Sequence, residues 1–305
     1  MKVTSTTKKI ISHYSHENVG VRSNIMRILG QGKLGGTGRM IILPVDQGFE
    51  HGPDRSFAIN PPAYDPNYHH QLAIDAGLSA YAAPLGLLQT SSDSFHGQIP
   101  TILKINSSNT LATSLDQAIT GSVDDALKLG CAAIGFTIYP GSDHNFSLME
   151  EYRELSHEAK SKGLAVVLWA YARGLNISKK GETAINIISY AAHMAALLGA
   201  NIIKVKLPSD FLEEDPTKAA FENNNIAIGT LQERVAQIKK VAFEGKRLVV
   251  FSGGDAKDDK ALMEEIKAIH FGGGNGSIIG RNCFQRTKED SLALLDQMIQ
   301  IYKSK

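Results

Sequence analysis

Short, nearly unbroken apolar runs rich in β-branched residues recur along the chain, separated by longer segments with helical spacing of their apolar positions. Eight such runs stand out, at 40–46, 78–83, 101–106, 131–139, 164–171, 201–207, 247–253 and 276–281. Continuous hydrophobicity, rather than alternation, predicts strands buried on both faces, as in a parallel sheet. The intervening periodicity predicts helices over 65–76, 114–130, 147–163, 183–199, 229–245 and 258–271, several of them ending in glycine. Strand and helix therefore alternate eight times, which predicts an α/β fold, a (β/α)8 TIM barrel with a closed parallel eight-stranded sheet. An open doubly wound sheet is the competing architecture, but eight parallel strands fit closure better. Residues 1–39 precede the first strand as an N-terminal extension, with a helix around 21–29 and a glycine-rich loop from Gly30 to Gly38. That loop matches neither the dinucleotide fingerprint nor a P-loop, so an entry loop is a simpler reading than a phosphate cradle. Residues 40–305 read as a single catalytic barrel. The segment 183–199 is so uniformly small and apolar that another element or another subunit should cover it.

Composition narrows the function classes. The 305 residues are 43% hydrophobic and 21% charged, ordinary for a globular chain and long enough for one barrel. A formal net charge of +1 gives no reason to expect nucleic acid or an anionic membrane as partner. Cys131 and Cys283 are far apart and lack a C-x-x-C partner, which fits a reducing compartment. The N-terminal stretch has no apolar core of a signal peptide, and no run approaches the length of a membrane span. A cytoplasmic protein is the expectation.

The chemistry should gather where the barrel strands end. The sixth run, Asn201-Ile-Ile-Lys204-Val-Lys206-Leu207, carries two lysines two residues apart, so both side chains lie on one face of an apolar strand. A lysine buried there can serve as a nucleophile, its amine kept neutral by desolvation and a nearby cation, ready to form a Schiff base; the alternative is a lysine that snorkels to water. Trp169 and Tyr171 share a face on the preceding strand in the same way. Tyr171 could act as general acid or base, or simply pack with a satisfied hydroxyl; Trp169 reads as a pocket wall. Asp46, at the mouth of the first strand, could orient hydroxyls, take a proton or cap a helix. The third strand carries Lys104 and Asn106, and the fifth is followed by Arg173. Ser252-Gly253-Gly254 and Gly280-Arg281 end the last two strands and suggest a phosphate site built from backbone N–H groups and a guanidinium. Ten histidines are scattered without a strand-borne set, so no metal site is expected. No G-x-S-x-G elbow is present.

Six segments in register resemble the archaeal-type class I fructose-bisphosphate aldolases, in particular their bacterial branch. They are Leu43-Pro-Val-Asp46-Gln47-Gly-Phe-Glu50-His51-Gly-Pro53, Thr137-Ile-Tyr-Pro-Gly141, Val167-Leu-Trp169-Ala-Tyr171, Gly199-Ala-Asn-Ile-Ile-Lys204, Ser252-Gly-Gly254 and Ile279-Gly-Arg281. The resemblance implies a (β/α)8 aldolase that needs no metal and no cofactor and acts on sugar phosphates. It implies Lys204 as the Schiff-base lysine, Tyr171 as acid/base and Trp169 beside the substrate. It places Asp46 and His51 toward the six-phosphate end, and Ser252, Gly253, Gly254, Gly280 and Arg281 at the one-phosphate. Gln47 stands where many archaeal members have histidine, and Lys206 is expected at the substrate site as the nearby cation that helps keep Lys204 neutral. A glutamate beyond the lysine corresponds to Glu214. Either Asp46 or Tyr171 could take the C4 hydroxyl proton. The implied reaction is reversible cleavage of fructose 1,6-bisphosphate, in glycolysis or gluconeogenesis, by a homo-oligomer, as a pentamer or decamer. Two other readings stay open: a related Schiff-base barrel transferring a carbon fragment or processing another phosphorylated sugar, and a non-catalytic sugar-phosphate-binding module.

Overall fold

The computed structural model describes residues 3–253 and 258–304. In these residues eight parallel strands close into a barrel: β1 (Met40–Pro44), β2 (Ala80–Ala83), β3 (Thr101–Lys104), β4 (Ala133–Ile138), β5 (Ala165–Ala170), β6 (Ile202–Val205), β7 (Leu248–Ser252) and β8 (Gly276–Ile278). Each strand neighbours the next, and β8 returns to β1 with Met40 opposite Gly276. Each of the eight predicted runs contains one of these strands. The reason is the one that made them legible: apart from Thr101 in β3 and Ser252 in β7, every strand residue is buried, because the sheet is covered inside and out.

Helices over Pro66–Asp75, Asn145–Ser161, Ile185–Leu197, Leu231–Val241 and Asp259–Phe271 agree with the periodicity. The first begins with Asp65 capping the Asn67 N–H and Pro66 in its first turn. Segment 114–130 departs from the prediction. Its first half returns as an edge strand, Ala118 and Ile119 pairing antiparallel with Ser107 and Asn106. Only Val123–Lys128 is helical, started afresh by a Ser122–Asp125 capping box. Two short helices, Gln47–His51 and Pro53–Phe57, follow β1, the first starting directly after Asp46. The apolar helix Ile185–Leu197 buries most of its length within its own chain, leaving Tyr190 and Leu197 exposed.

The N-terminal helices Ser5–Ser12 and Val19–Gly30 lie across the end of the barrel where the strands begin. Val21, Ile25, Ile28 and Leu29 pack in one cluster with Met40, Ile42, Ala80, Val167 and Ile202 of the barrel. Tyr14 is fully buried there; its hydroxyl donates to the Asn201 carbonyl at 2.6 Å and accepts from the Leu248 N–H at 3.0 Å. Glu17 joins the same seam, bridging Lys160 (2.7 Å) and the Asn201 amide (2.8 Å). The glycine-rich loop packs against the turn before β2: a Cβ on Gly32 would sit 2.1 Å from the Gly77 carbonyl, and the Lys33 N–H bonds to that carbonyl. Its glycines thus serve a close backbone approach at the end of the barrel remote from the strand termini. No helix among the described residues is long and apolar enough to cross a membrane.

The Tyr14→Phe variant should lose about 1–3 kcal/mol of stability, because two buried backbone groups lose their partner. Urea denaturation checks this; an unchanged midpoint would mean that the seam at 14, 201 and 248 contributes nothing.

Candidate active site

Lys204 stands next to last in β6 and is 5% exposed. Its register partner on β5 is Trp169, and its amine lies 5.1 Å from the centre of that indole and 5.3 Å from the ring of Tyr171. Burial is the main force on this amine and lowers its pKa to about 8; Asp46 and Glu50 pull upward, and Arg281 pushes down. The cation that helps keep Lys204 neutral is thus Arg281. Lys206 shares the cleft but is neutralised by Glu182 at 2.8 Å, and Glu182 also holds Lys179 at 3.0 Å. The expectation that Lys206 tunes its neighbour fails for that reason: a carboxylate 24 residues upstream has already claimed its charge.

Trp169 owes its place to a glycine on the neighbouring strand. A Cβ at Gly135 would fall 2.4 Å from the indole, so only glycine lets the ring lie across the barrel interior. Tyr171 leaves β5 with its N–H on the Ile138 carbonyl, and its hydroxyl is hydrogen-bonded to the Ser252 side chain. Burial first, then Asp46 and Glu50, raise the tyrosine pKa well above its ordinary value, so the hydroxyl stays protonated and can act as an acid.

Asp46 occupies the N-cap position of the Gln47–His51 helix but makes no capping bond with its side chain. The carboxylate is therefore available to the site, where Asp46 and Glu50 line the cleft together. Gln47 accepts from the Asp46 N–H, and its amide lies beside Gly280. His51 approaches Glu50 at 3.7 Å, and its Nδ1 is buried without a hydrogen-bond partner. Ser252 and Gly253 at the end of β7 meet Gly280 and Arg281 after β8: Asn282 donates to the Gly253 carbonyl, and Ser252 pairs with Ile278. A Cβ at Gly280 would collide with the Pro44 carbonyl at 2.5 Å, so this loop is pressed against β1. Gly254 lies outside the described residues. Glu214 caps the helix Asp215–Asn223 by position, makes no capping bond with its side chain and does not line the cleft.

All the other predicted residues except Trp169 line one cleft of about 660 Å³, and Trp169 lines an adjoining recess of about 30 Å³. Four residues that sequence reasoning gave no role join them. Arg173, stacked over Tyr139 at 5.0 Å, and Arg55 add cations to the cleft. Glu182 pairs with Lys206, and Lys104 lies 5.9 Å from the Trp169 ring. Lys104 had a signal: like Lys204, it is a lysine on an apolar strand. Among the described residues, no group of three or more His, Cys, Asp or Glu is gathered as a metal-binding set.

The DeoC/LacD family of aldolases matches the chain over residues 40–286. The chain belongs to that family. It is 33% identical over 304 residues to a probable class 1 fructose-bisphosphate aldolase of Chlamydia muridarum, covering 94% of this chain and 86% of that one. It is 34% identical over 251 residues to a class 1 fructose-bisphosphate aldolase of Thermoproteus tenax, covering 82% and 84%. Among solved structures it resembles an archaeal fructose-1,6-bisphosphate aldolase whose catalytic lysine is covalently bound to the carbinolamine intermediate, at a TM-score of 0.74 and 30% identity over 87% of this chain and 94% of that one.

The amine chemistry of this family member can be read directly. Competitive labelling with acetic anhydride, followed by peptide mass spectrometry, should show Lys204 becoming reactive with a midpoint near pH 8. The Arg281→Gln variant removes a cation that favours the neutral amine, so the midpoint should rise; Asp46→Asn removes an anion that favours the ammonium, so it should fall. A midpoint at the ordinary lysine value in the unmodified protein would contradict the burial argument.

Proposed function

We propose that the protein is a Schiff-base aldolase, independent of metal, that reversibly cleaves fructose 1,6-bisphosphate to dihydroxyacetone phosphate and glyceraldehyde 3-phosphate. The observation that carries this reading is the buried, mostly uncompensated amine of Lys204 between an indole and a protonated phenol. At pH 7.5 about a quarter of such an amine is neutral, against about one part in a thousand for an ordinary lysine. The neutral amine attacks the C2 ketone. Tyr171, holding its proton, donates it as the carbinolamine loses water. The resulting iminium draws in the electron pair of the C3–C4 bond while a base takes the C4 hydroxyl proton, leaving an enamine and a free aldehyde. Asp46, whose side chain makes no helix-capping bond, is the base in this scheme.

Two cationic ends support a substrate with two phosphates. Ser252, Gly253, Gly280 and Arg281 form one, and Arg55 and Arg173 with His51 supply the other. With C2 fixed on Lys204, binding energy at both ends orients the bond to be broken. A substrate with one phosphate would leave one end unused, and a pure binding module would have no need of a desolvated amine. The cleft is also within the size range of small-molecule sites. The buried thiols of Cys131 and Cys283 support a cytoplasmic setting, and the exposed Tyr190 and Leu197, seven residues apart on one helix, support self-association into a homo-oligomer.

Borohydride reduction with dihydroxyacetone phosphate in the presence of EDTA should fix a triose phosphate on Lys204, detected by peptide mass spectrometry. Lys204→Met should abolish both trapping and cleavage without unfolding the barrel. Protein that binds the sugar phosphate yet gives no adduct on any lysine would be a binding module; an adduct on Lys206 would relocate the nucleophile.

A further inference from the structure

Lys104 is a second buried amine in the same site. It ends β3, is 3% exposed and lies against the same indole as Lys204. Its hydrogen bonds within the described residues go to Asn106, to the backbone carbonyl and to Oδ1 at 2.8 Å. Asn106 is itself clamped: its Oδ1 accepts from the Thr137 N–H and its Nδ2 donates to the Thr137 carbonyl, both at 2.8 Å. The amine is thus held rigidly rather than left on a flexible stem, and an ammonium has a third N–H to give.

What lies before it is the small recess of about 30 Å³ beside the main cleft, lined by Lys104, Asp46, Glu50, Gln117 and Trp169. That space admits a water or a single hydroxyl. The buried Gln117 Oε1 lacks a partner, so the recess is polar and not fully satisfied. Asp46 and Glu50 act on both Lys104 and Lys204 as the nearest influential carboxylates, and Lys204 acts on Lys104, so the four groups form one electrostatic unit. Burial lowers the Lys104 amine to about 8 as well, leaving it largely ammonium near neutrality.

We infer that Lys104 is a further catalytic residue, whose ammonium donates a hydrogen bond to the C4 oxygen of the substrate as the C3–C4 bond breaks. The inference rests on the aldolase reading above. In the step, the C4 hydroxyl proton passes to the Asp46 carboxylate, the C3–C4 electron pair enters the iminium to give the enamine, and the C4 oxygen becomes the aldehyde carbonyl. Lys104 stays protonated throughout; it steadies the negative charge that develops on that oxygen, as a preorganised donor does in an oxyanion hole.

The test separates bond cleavage from Schiff-base chemistry. Lys104→Met and Lys104→Gln are compared with the unmodified protein in three assays: cleavage of fructose 1,6-bisphosphate, borohydride trapping of dihydroxyacetone phosphate, and exchange of its C3 proton in deuterium oxide. Trapping and exchange need no C4 oxygen. Cleavage should therefore fall at least about 100-fold in kcat, the size of a lost oxyanion donor, while trapping and exchange stay within about threefold. The glutamine variant keeps a polar group beside Asn106, so it decides the matter if the methionine variant does not fold. Cleavage within about threefold of normal, or an equal loss in all three assays by a folded variant, overturns the inference. Failure of the unmodified protein to trap or exchange would instead overturn the aldolase reading.

Discussion

Everything in this site depends on withholding water from one amine. Displacing the Lys204 pKa from 10.5 to about 8 corresponds to roughly 3 kcal/mol of preference for the neutral form. That preference is supplied by burial, and burial is supplied by the barrel: apart from Lys204 itself, the buried residues of β5, β6 and β7 are apolar, and Trp169 and Tyr171 close over the amine from the neighbouring strand. The same low-dielectric setting holds the Tyr171 proton in place. Desolvation thus acts in opposite chemical directions on the two groups. In the proposed mechanism it favours loss of a proton from the amine that attacks and retention of one on the phenol that donates.

Desolvation alone would be indiscriminate, and the local charges refine it. Lys206 was the natural candidate for a repelling cation, because it shares a strand face with Lys204. Glu182 cancels it at 2.8 Å, and the effective cation is Arg281, delivered by the turn after β8. An arginine is better suited to this task, since it cannot itself lose a proton. Because Arg281 also stands at the predicted phosphate end, an arriving phosphate would share its charge.

Strand positions were legible because a strand covered on both faces must be apolar throughout, a signal local to six or seven residues. Lys204 was legible because it violates that signal. Segment 114–130 was misread because its helical spacing ignored the break at Gly121 and the return of Ala118 and Ile119 onto Ser107 and Asn106, a pairing decided by tertiary contact. The Gly135–Trp169, Glu182–Lys206 and Tyr171–Ser252 contacts span 34, 24 and 81 residues. No local pattern announces such pairs, and only the closed barrel brings them together. Lys104 carried the same violation as Lys204 yet received no role, because the indole it shares with Lys204 comes from β5, two strands away, and meets it only in the closed barrel.

The charge balance of the interior then follows from topology rather than from any one strand. Asp46 and Glu50 come from the β1 exit, Lys104 from β3, Lys204 from β6 and Arg281 from the β8 exit. In a barrel these elements converge on one axis, so each carboxylate influences both amines and Lys104 also feels Lys204. A lysine held in an ion pair is less available as a nucleophile; the half-buried Lys206, paired with Glu182 at 2.8 Å, is that case. Lys204 and Lys104 instead share two carboxylates without forming an ion pair with either among the described residues. Burial lowers both amines to about 8 while the shared carboxylates pull upward, and in the proposed mechanism Lys204 attacks and Lys104 keeps its proton and donates.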